Sequence, residues 1–117
     1  MANEVNLSAT LRYSKSPTSA SLTVTSQASQ VGNKFESGIQ SIGTVEESLQ
    51  KGDVGSIGWL AVRNMDAVNY VELGSATGAY SIKLVAGKGC VVPWNASDTF
   101  LKANTAACLV EYLIIEA

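Results

Sequence analysis

Apolar and polar residues alternate along much of this chain, and the alternation predicts β-strands. The first segment is the clearest, because side chains of successive strand residues point to opposite faces and only one face here is apolar. Its apolar positions are Val5, Leu7, Ala9, Leu11 and Tyr13. Ser16 and Pro17 follow as a turn, since Pro presets turn geometry. A second strand then carries Ala20, Leu22 and Val24 between Ser and Thr residues.

Further short strands follow as far as the carboxyl end. Residues 26–34 are polar and predict a loop, and residues 38–49 favour a strand with a bulge near Gly43, with a short helix as the alternative. The remaining predicted strands span 57–63, 69–73, 79–85, 90–92, 99–102 and 106–115, with Pro93 ending the strand before it. Many short strands separated by turn signals are typical of a sandwich or barrel.

The fold prediction is therefore all-β: a single-domain antiparallel β-sandwich, jelly-roll-like, of about eight to nine short strands. The chain of 117 residues is long enough for one domain with its own core. Residues 1–117 are assigned to this domain, and residues 1–4 are predicted to form a flexible amino-terminal arm.

Some strands are apolar on both faces. In the last strand Cys108, Val110, Tyr112 and Ile114 share one face, and the other face carries Ala107, Leu109, Leu113 and Ile115, interrupted by Glu111. The segment from Ile57 to Val62 shows the same property. A strand in a two-sheet domain has one inner face, so something must cover the other. A loop, a subunit interface or a ligand cavity would each do so, and we expect an oligomer.

Composition narrows the function classes. Charged residues are 15% of the chain, the net charge is −2, and there is no histidine. The absence of histidine removes the usual general base and most zinc sites. Without a basic excess, a nucleic-acid partner is not expected. We therefore expect no enzyme, no catalytic residues and no cofactor.

Two weaker motifs favour the same conclusion. The segment Gly87-Lys88-Gly89 lacks the spacing and the following helix of a phosphate loop, so a turn is predicted. Glu46, Glu47, Asp53 and Asp66 could in principle supply oxygen ligands to a hard cation. They form no dense motif, and we expect solvated loop charges and no metal site.

Aromatic residues and cysteines leave alternatives open. Trp94 follows Pro93 at a strand end and is the best candidate for an exposed contact residue, since Trp is enriched at interfaces. A core position is its alternative.

Cys90 and Cys108 lie in apolar segments, which favours buried thiols, although a disulfide between them stays open. The amino terminus lacks the pattern of a secretory signal, and no apolar stretch has the length of a membrane helix. We therefore expect synthesis in the cytoplasm and no membrane partner.

The carboxy-terminal part resembles a group of viral proteins. Its segments are Ile57-Gly58-Trp59-Leu60-Ala61-Val62-Arg63-Asn64-Met65-Asp66, Asn69-Tyr70-Val71-Glu72-Leu73-Gly74, Leu101-Lys102-Ala103-Asn104-Thr105-Ala106-Ala107 and Val110-Glu111-Tyr112-Leu113-Ile114-Ile115-Glu116. In this order they resemble small virion structural proteins of tailed bacteriophages, whose β-sandwich or jelly-roll domains coat the shell or join tail parts. The resemblance covers about residues 36–117.

The resemblance implies a virion structural protein. Its first expectation is a capsid decoration (cement) protein, a homo-oligomer with a trimer favoured, that binds the major capsid protein or another virion protein. A tail or head–tail accessory protein is the alternative. A carbohydrate- or receptor-binding module, which would need Trp94 or Tyr70 exposed, and a small β-barrel enzyme are the other classes. The predicted interface residues are Leu109, Leu113, Ile115 and Trp94.

Overall fold

The computed structural model describes residues 4–117, and these residues form ten strands and no helix. All the strand pairs are antiparallel. The strands are β1 (Val5–Lys15), β2 (Thr18–Ala28), β3 (Phe35–Ile42), β4 (Glu47–Ser48), β5 (Ile57–Asn64), β6 (Val71–Gly74), β7 (Ile82–Leu84), β8 (Gly89–Ala96), β9 (Phe100–Ala103) and β10 (Cys108–Glu116).

Strands β3 to β10 form two four-stranded sheets, in the orders β3-β10-β5-β8 and β4-β9-β6-β7. The pairing is nested: β6 pairs with β7, β5 with β8, β4 with β9 and β3 with β10. The segment is thus one long hairpin wrapped across two sheets, which is the jelly-roll arrangement of eight strands. The predicted all-β sandwich of jelly-roll type is confirmed.

The core lies between the two sheets. Alternate residues of each strand point into it, including Leu60 and Val62 of β5 and Val110 and Ile114 of β10. Asn64 and Thr99 are the buried polar residues in the described part of the chain, and the side chain of Asn64 is satisfied by three hydrogen bonds. The sandwich therefore buries one face of each sheet, and the core does not account for the apolar residues on the opposite faces.

Strands β1 and β2 form a separate two-stranded sheet. They pair without interruption over eleven residue pairs, from Val5 with Ala28 to Lys15 with Thr18. Ser16 and Pro17 make the turn, and the peptide bond between them is cis. The chain divides into two compact units, Met1–Val31 and Gly32–Ala117, and the sandwich belongs to the second. Of the predicted arm at residues 1–4, residues 1–3 lie outside the described residues.

Several local predictions need correction. In place of one strand with a bulge near Gly43, residues 38–49 hold the end of β3 at Ile42 and the short β4, which belong to different sheets, and the alternative helix does not form. Strand β8 continues through Pro93, because β8 is an edge strand and a missing N–H is tolerated there. The loop predicted over 26–34 begins later, since β2 extends to Ala28.

The face assignment within β5 also differs. The sequence placed Ile57 with Trp59 and Ala61, but Ile57 is buried in the core with Leu60. The register shifts between Ile57 and Trp59, and this bulge reverses the alternation of side chains. Gly58 occupies the bulge, where a Cβ atom would lie 2.8 Å from Cα of Ala117, so the chain end can approach only a glycine.

Candidate interaction surfaces

The hairpin of β1 and β2 has one apolar and one polar face. Because the register pairs odd-numbered residues of β1 with even-numbered residues of β2, the apolar side chains of both strands share a face. We name this the hairpin face; its apolar residues are Val5, Leu7, Ala9, Leu11, Tyr13, Ala20, Leu22, Val24 and Ala28. The polar residues Lys15, Thr18 and Ser26 also lie on it. The opposite face carries Ser, Thr, Asn and Gln, with hydrogen bonds such as that between the hydroxyls of Thr10 and Thr23, 3.1 Å apart.

Exposure on the hairpin face increases toward the turn. Val5 is buried, whereas Leu11 is 76% exposed and Leu22, opposite it, is 66% exposed. Tyr13 and Val24 are also exposed. An isolated two-stranded hairpin is marginally stable in water, and a contiguous exposed apolar patch usually marks an association site. The outer half of the hairpin face is therefore a candidate docking surface.

A second apolar face lies on the sandwich. On the side of the β3-β10-β5-β8 sheet that faces away from the core, the cross-strand register aligns apolar residues from all four strands. We name this the sheet face; its residues are Phe35, Ile39, Trp59, Ala61, Val91, Pro93, Leu109, Leu113 and Ile115. Phe35 is 67% exposed, and Leu109 and Leu113 are exposed as well. The face is interrupted by the ion pair between Arg63 and Glu111, at 2.6 Å, and by Ser37 and Ser41 of β3, which lie opposite Leu113 and Leu109.

The outer side of the other sheet is different in kind. There Glu72 of β6 lies between Lys102 of β9 and Lys83 of β7 in the register, a row of alternating charge. Lys83 also lies over the ring of Tyr70, with its Nζ atom 4.1 Å from the ring centre. Opposite charges across strands suit a solvated surface. The two outer surfaces of the sandwich thus differ, and only the sheet face is apolar over all four strands.

The structure brings together three of the four predicted interface residues. Leu109, Leu113 and Ile115 lie on the sheet face, and no loop covers the two leucines. Trp94 lies on the opposite side of β8, half-buried against the core, with its Nε1 donating to the carbonyl of Asp98 at 3.1 Å. It is not the exposed contact residue that the sequence favoured. Alternation along β8 explains this: Pro93 occupies the outer position and Trp94 the inner one.

Sequence reasoning missed Phe35, Ile39 and the hairpin residues Leu11 and Leu22 as contact residues. Phe35 and Ile39 lie opposite Ile115 and Glu111 of β10. The alternation in 5–13 predicts a half-buried strand of the sandwich, whereas β1 pairs only with β2 in a separate sheet. The signal that could have identified the hairpin is the match between two equally long alternating segments separated only by Ser16-Pro17.

The acidic residues with shifted pKa values serve as loop anchors. Glu46 accepts hydrogen bonds from the hydroxyl of Tyr80 and from the N–H of Gly78, and these lower the pKa of Glu46. The same contact with Glu46 raises the pKa of Tyr80 to about 12. Glu47, its neighbour, turns to Gln40 and to the N–H of Gly43. The two adjacent carboxylates therefore bind different loops and do not act as a pair.

Glu116 and Asp66 are engaged in the same way. Glu116 accepts from the N–H groups of Gly55 and Asn33, and these bonds lower its pKa. Asp66 accepts from the N–H groups of Asn69 and Val68, which lowers its pKa. The lowered pKa values of Glu116 and Asp66 thus follow from hydrogen bonds with backbone N–H groups, which hold loops in place. A catalytic role is not needed to explain them.

The possible metal ligands, the Gly87-Lys88-Gly89 segment and the two cysteines are the remaining residues that could have carried chemistry. Within residues 4–117 no three Cys, Asp or Glu side chains are grouped so as to hold a metal ion. The Gly87-Lys88-Gly89 segment forms the predicted turn, in which the N–H of Lys88 donates to the carbonyl of Val85 at 2.9 Å. Both cysteines are free thiols, and burial raises the pKa of each.

Comparisons with protein-family models, curated protein sequences and solved structures gave no match to this chain. Residues 4–117 include no helix with the length and apolarity to span a membrane. The strand order and the exposed faces together define this protein as a jelly-roll β-sandwich that carries an amphipathic hairpin.

Proposed function

We propose that this protein is a virion structural protein of the capsid decoration (cement) type, which binds the shell of major capsid protein as an oligomer and stabilises it. The observation that carries the proposal is the sheet face, an exposed apolar surface across a whole four-stranded sheet. An exposed surface of this kind marks a partner. The jelly roll is an architecture of viral capsid proteins among others. The sequence resemblance to small virion proteins of tailed bacteriophages favours a viral protein among these.

The mechanism is the burial of apolar surface at many identical positions. Each copy needs only an ordinary interface of about 800 Å² per partner to bind specifically. A protein that covers the junctions between capsid subunits adds this energy at every junction, so the shell gains resistance to heat and internal pressure. The charged outer surface of the β4-β9-β6-β7 sheet, with Glu72 between Lys83 and Lys102, suits the solvent-facing side of such a coat.

The test is addition of purified protein to purified heads of the encoding phage that lack it. We expect saturable co-sedimentation with the heads, in a fixed ratio to the major capsid protein, and a higher temperature of head disruption. Leu113→Glu should abolish co-sedimentation, while Ser75→Glu, which adds the same charge at an exposed loop position, should not. Failure of the wild-type protein to bind heads would overturn the proposal.

A tail or head–tail accessory role is the second candidate within the same class, because a jelly roll with an exposed hairpin also suits a joint between tail parts. Co-sedimentation with isolated tails, and not with heads, would favour it. A carbohydrate-binding role has less support: Trp94, the side chain it relied on, is half-buried against the core, and Tyr70 lies under Lys83.

A further inference from the structure

The hairpin face and the sheet face are two apolar surfaces of one chain, each exposed. We propose that the outer half of the hairpin of one copy packs on the sheet face of a second copy, so that copies associate by exchanging hairpins. This inference rests on the proposed assembly role and names the contact through which the oligomer forms. Three independent observations support it: dimensions, charge and composition of the two faces.

The dimensions of the two faces match. Residues 9–15 of the hairpin, at about 3.4 Å per residue, extend about 24 Å, and residues 109–115 along β10 extend about the same length. The hairpin face is about 10 Å wide and the four-stranded sheet about 19 Å wide at the usual strand spacing. One hairpin can therefore lie on part of the sheet face, at the separation of about 10 Å that is usual for packed sheets, and about half the width of the face stays free for the shell.

The area favours exchange over a single contact. One hairpin footprint of about 240 Å² is well below the roughly 800 Å² per partner of a standard interface. When each copy both gives a hairpin and receives one, the area per copy doubles to about 480 Å², which is in the range of small, weak interfaces. Exchange therefore uses both exposed apolar faces of every copy, in a reciprocal dimer or a closed ring.

Residues 1–31 and residues 32–117 differ in the sign of their net charge. Residues 1–31 contain Arg12, Lys15 and Glu4, for a net charge of +1, and the strands β1 and β2 contain no acidic residue. Residues 32–117 hold six Lys and Arg against nine Asp and Glu, for a net charge of −3. Two basic hairpins repel each other weakly, whereas a basic hairpin is attracted to an acidic sandwich. A hairpin therefore favours the sandwich of another copy over a second hairpin.

The side chains also fit a dry contact. The outer half of the hairpin face presents Leu11, Tyr13, Leu22 and Val24, without a buried carboxylate to desolvate. On the sheet face, Arg63 and Glu111 already neutralise each other. The remaining charge is that of Lys15, at the turn end of the hairpin face, and its long flexible side chain can extend to solvent at the edge of the contact.

The experiment uses two variants of the full chain that disrupt different faces. Leu22→Glu places a charge on the hairpin face, and Leu113→Glu places one on the sheet face. Ser21→Glu, on the polar side of the hairpin and opposite Arg12, is the matched control for the first. Ser75→Glu is the control for the second. Circular dichroism and urea unfolding establish that each variant is folded.

Light scattering and sedimentation at micromolar concentrations give the oligomeric state. We expect the wild type and both controls to associate, and each face variant alone to associate at least about tenfold more weakly, the equivalent of about 1.4 kcal/mol. Mixing the two face variants restores one of the two contacts, because Leu113→Glu still supplies an intact hairpin and Leu22→Glu an intact sheet face. The mixture should therefore associate more tightly than either variant alone and more weakly than the wild type.

Three outcomes would overturn the inference. They are a wild type that stays monomeric, a Leu113→Glu variant that associates as tightly as the wild type, and a mixture of the two face variants that associates no more tightly than either variant alone. The second would indicate pairing between hairpins. Binding to heads is measured separately, so a protein that exchanges hairpins but ignores heads would retain this inference and contradict the proposed function. A monomer that binds heads would do the reverse.

Discussion

Among single residues, Asn64 is a buried polar side chain with a large expected effect on folding. It is fully buried, its Nδ2 donates to the carbonyls of Asn69 and Leu84 at 2.9 Å, and its Oδ1 accepts from the N–H of Asp66. Asn64→Ala leaves these backbone groups without partners. We expect a loss of about 2–4 kcal/mol in the free energy of unfolding, since each unpaired buried polar group costs about 1–3 kcal/mol. Urea unfolding measures it.

The exposed Asn95 provides the control for this substitution. Asn95→Ala should change the free energy of unfolding by less than about 0.5 kcal/mol, as is usual for surface positions. Equal effects of the two substitutions would contradict the role assigned to Asn64 as the side chain that fixes the loop after β5.

Tyr80 and Glu46 predict how stability depends on pH. The pKa of Glu46 is lowered in the folded protein, so its contribution to stability is present above the ordinary value of 4.5 and is lost as the pH falls through the folded pKa. The pKa of Tyr80 is raised from 10.0 to about 12, so its contribution is present below pH 10.0 and is lost by about pH 12.

Tyr80→Phe removes this hydrogen bond from both residues. We expect the variant to be less stable than the wild type at neutral pH and to lose less stability on acidification below 4.5, because the pKa of Glu46 returns toward its ordinary value. It should also lack the alkaline loss that Tyr80 causes. Urea midpoints across this pH range test both expectations, and parallel profiles for variant and wild type would contradict them.

At the scale of elements, the hairpin and the sandwich differ in how they are stabilised. All the residues of the core cluster lie between Ile42 and Ile114, and none lies in β1 or β2. We therefore expect residues 32–117 alone to unfold cooperatively in urea, as a domain with its own core does. A peptide of residues 4–31 should show little β-structure by circular dichroism, since two strands alone are marginal. A truncated chain without cooperative unfolding would contradict this division.

Strands could be predicted where the pattern that determines them lies within a short segment, and not where it depends on pairing with a distant strand. Alternation is local, and it predicted the positions of β1, β2, β5 and β10. The bulge at Ile57 and the continuation of β8 through Pro93 depend on which strand lies alongside, which the local pattern does not contain. The same holds for the face of Trp94, because a single shift in alternation moves a side chain to the other side of its sheet.

The candidate site was predictable in part for the same reason. Leu109, Leu113 and Ile115 could be found because both faces of β10 are apolar within one strand. Phe35, Ile39 and Val91 join them only through the register of β3, β5 and β8, which pairs residues far apart in the chain. The outer half of the hairpin face required knowing that β1 pairs with β2 and with no strand of the sandwich.

At the scale of the whole molecule, we expect folding and the proposed self-association to depend on opposite faces of the same strand. Ile114 is fully buried in the core, and its neighbour Leu113 is 39% exposed on the sheet face. Substitutions at these adjacent positions should therefore separate the two properties. Ile114→Ala should reduce the free energy of unfolding by about 2–5 kcal/mol, through lost burial and the cavity left behind.

Leu113→Ala should change the free energy of unfolding of the monomer by much less, while it weakens self-association, because its side chain lies outside the core. The comparison needs both urea unfolding and sedimentation for each variant, with unfolding measured at concentrations low enough that association does not add to stability. If Leu113→Ala weakened folding as much as Ile114→Ala and left self-association unchanged, the sheet face would be part of the folding core. An assembly protein differs from a self-contained sandwich in having an outer apolar sheet face of this kind, which contributes little to the free energy of unfolding and much to self-association.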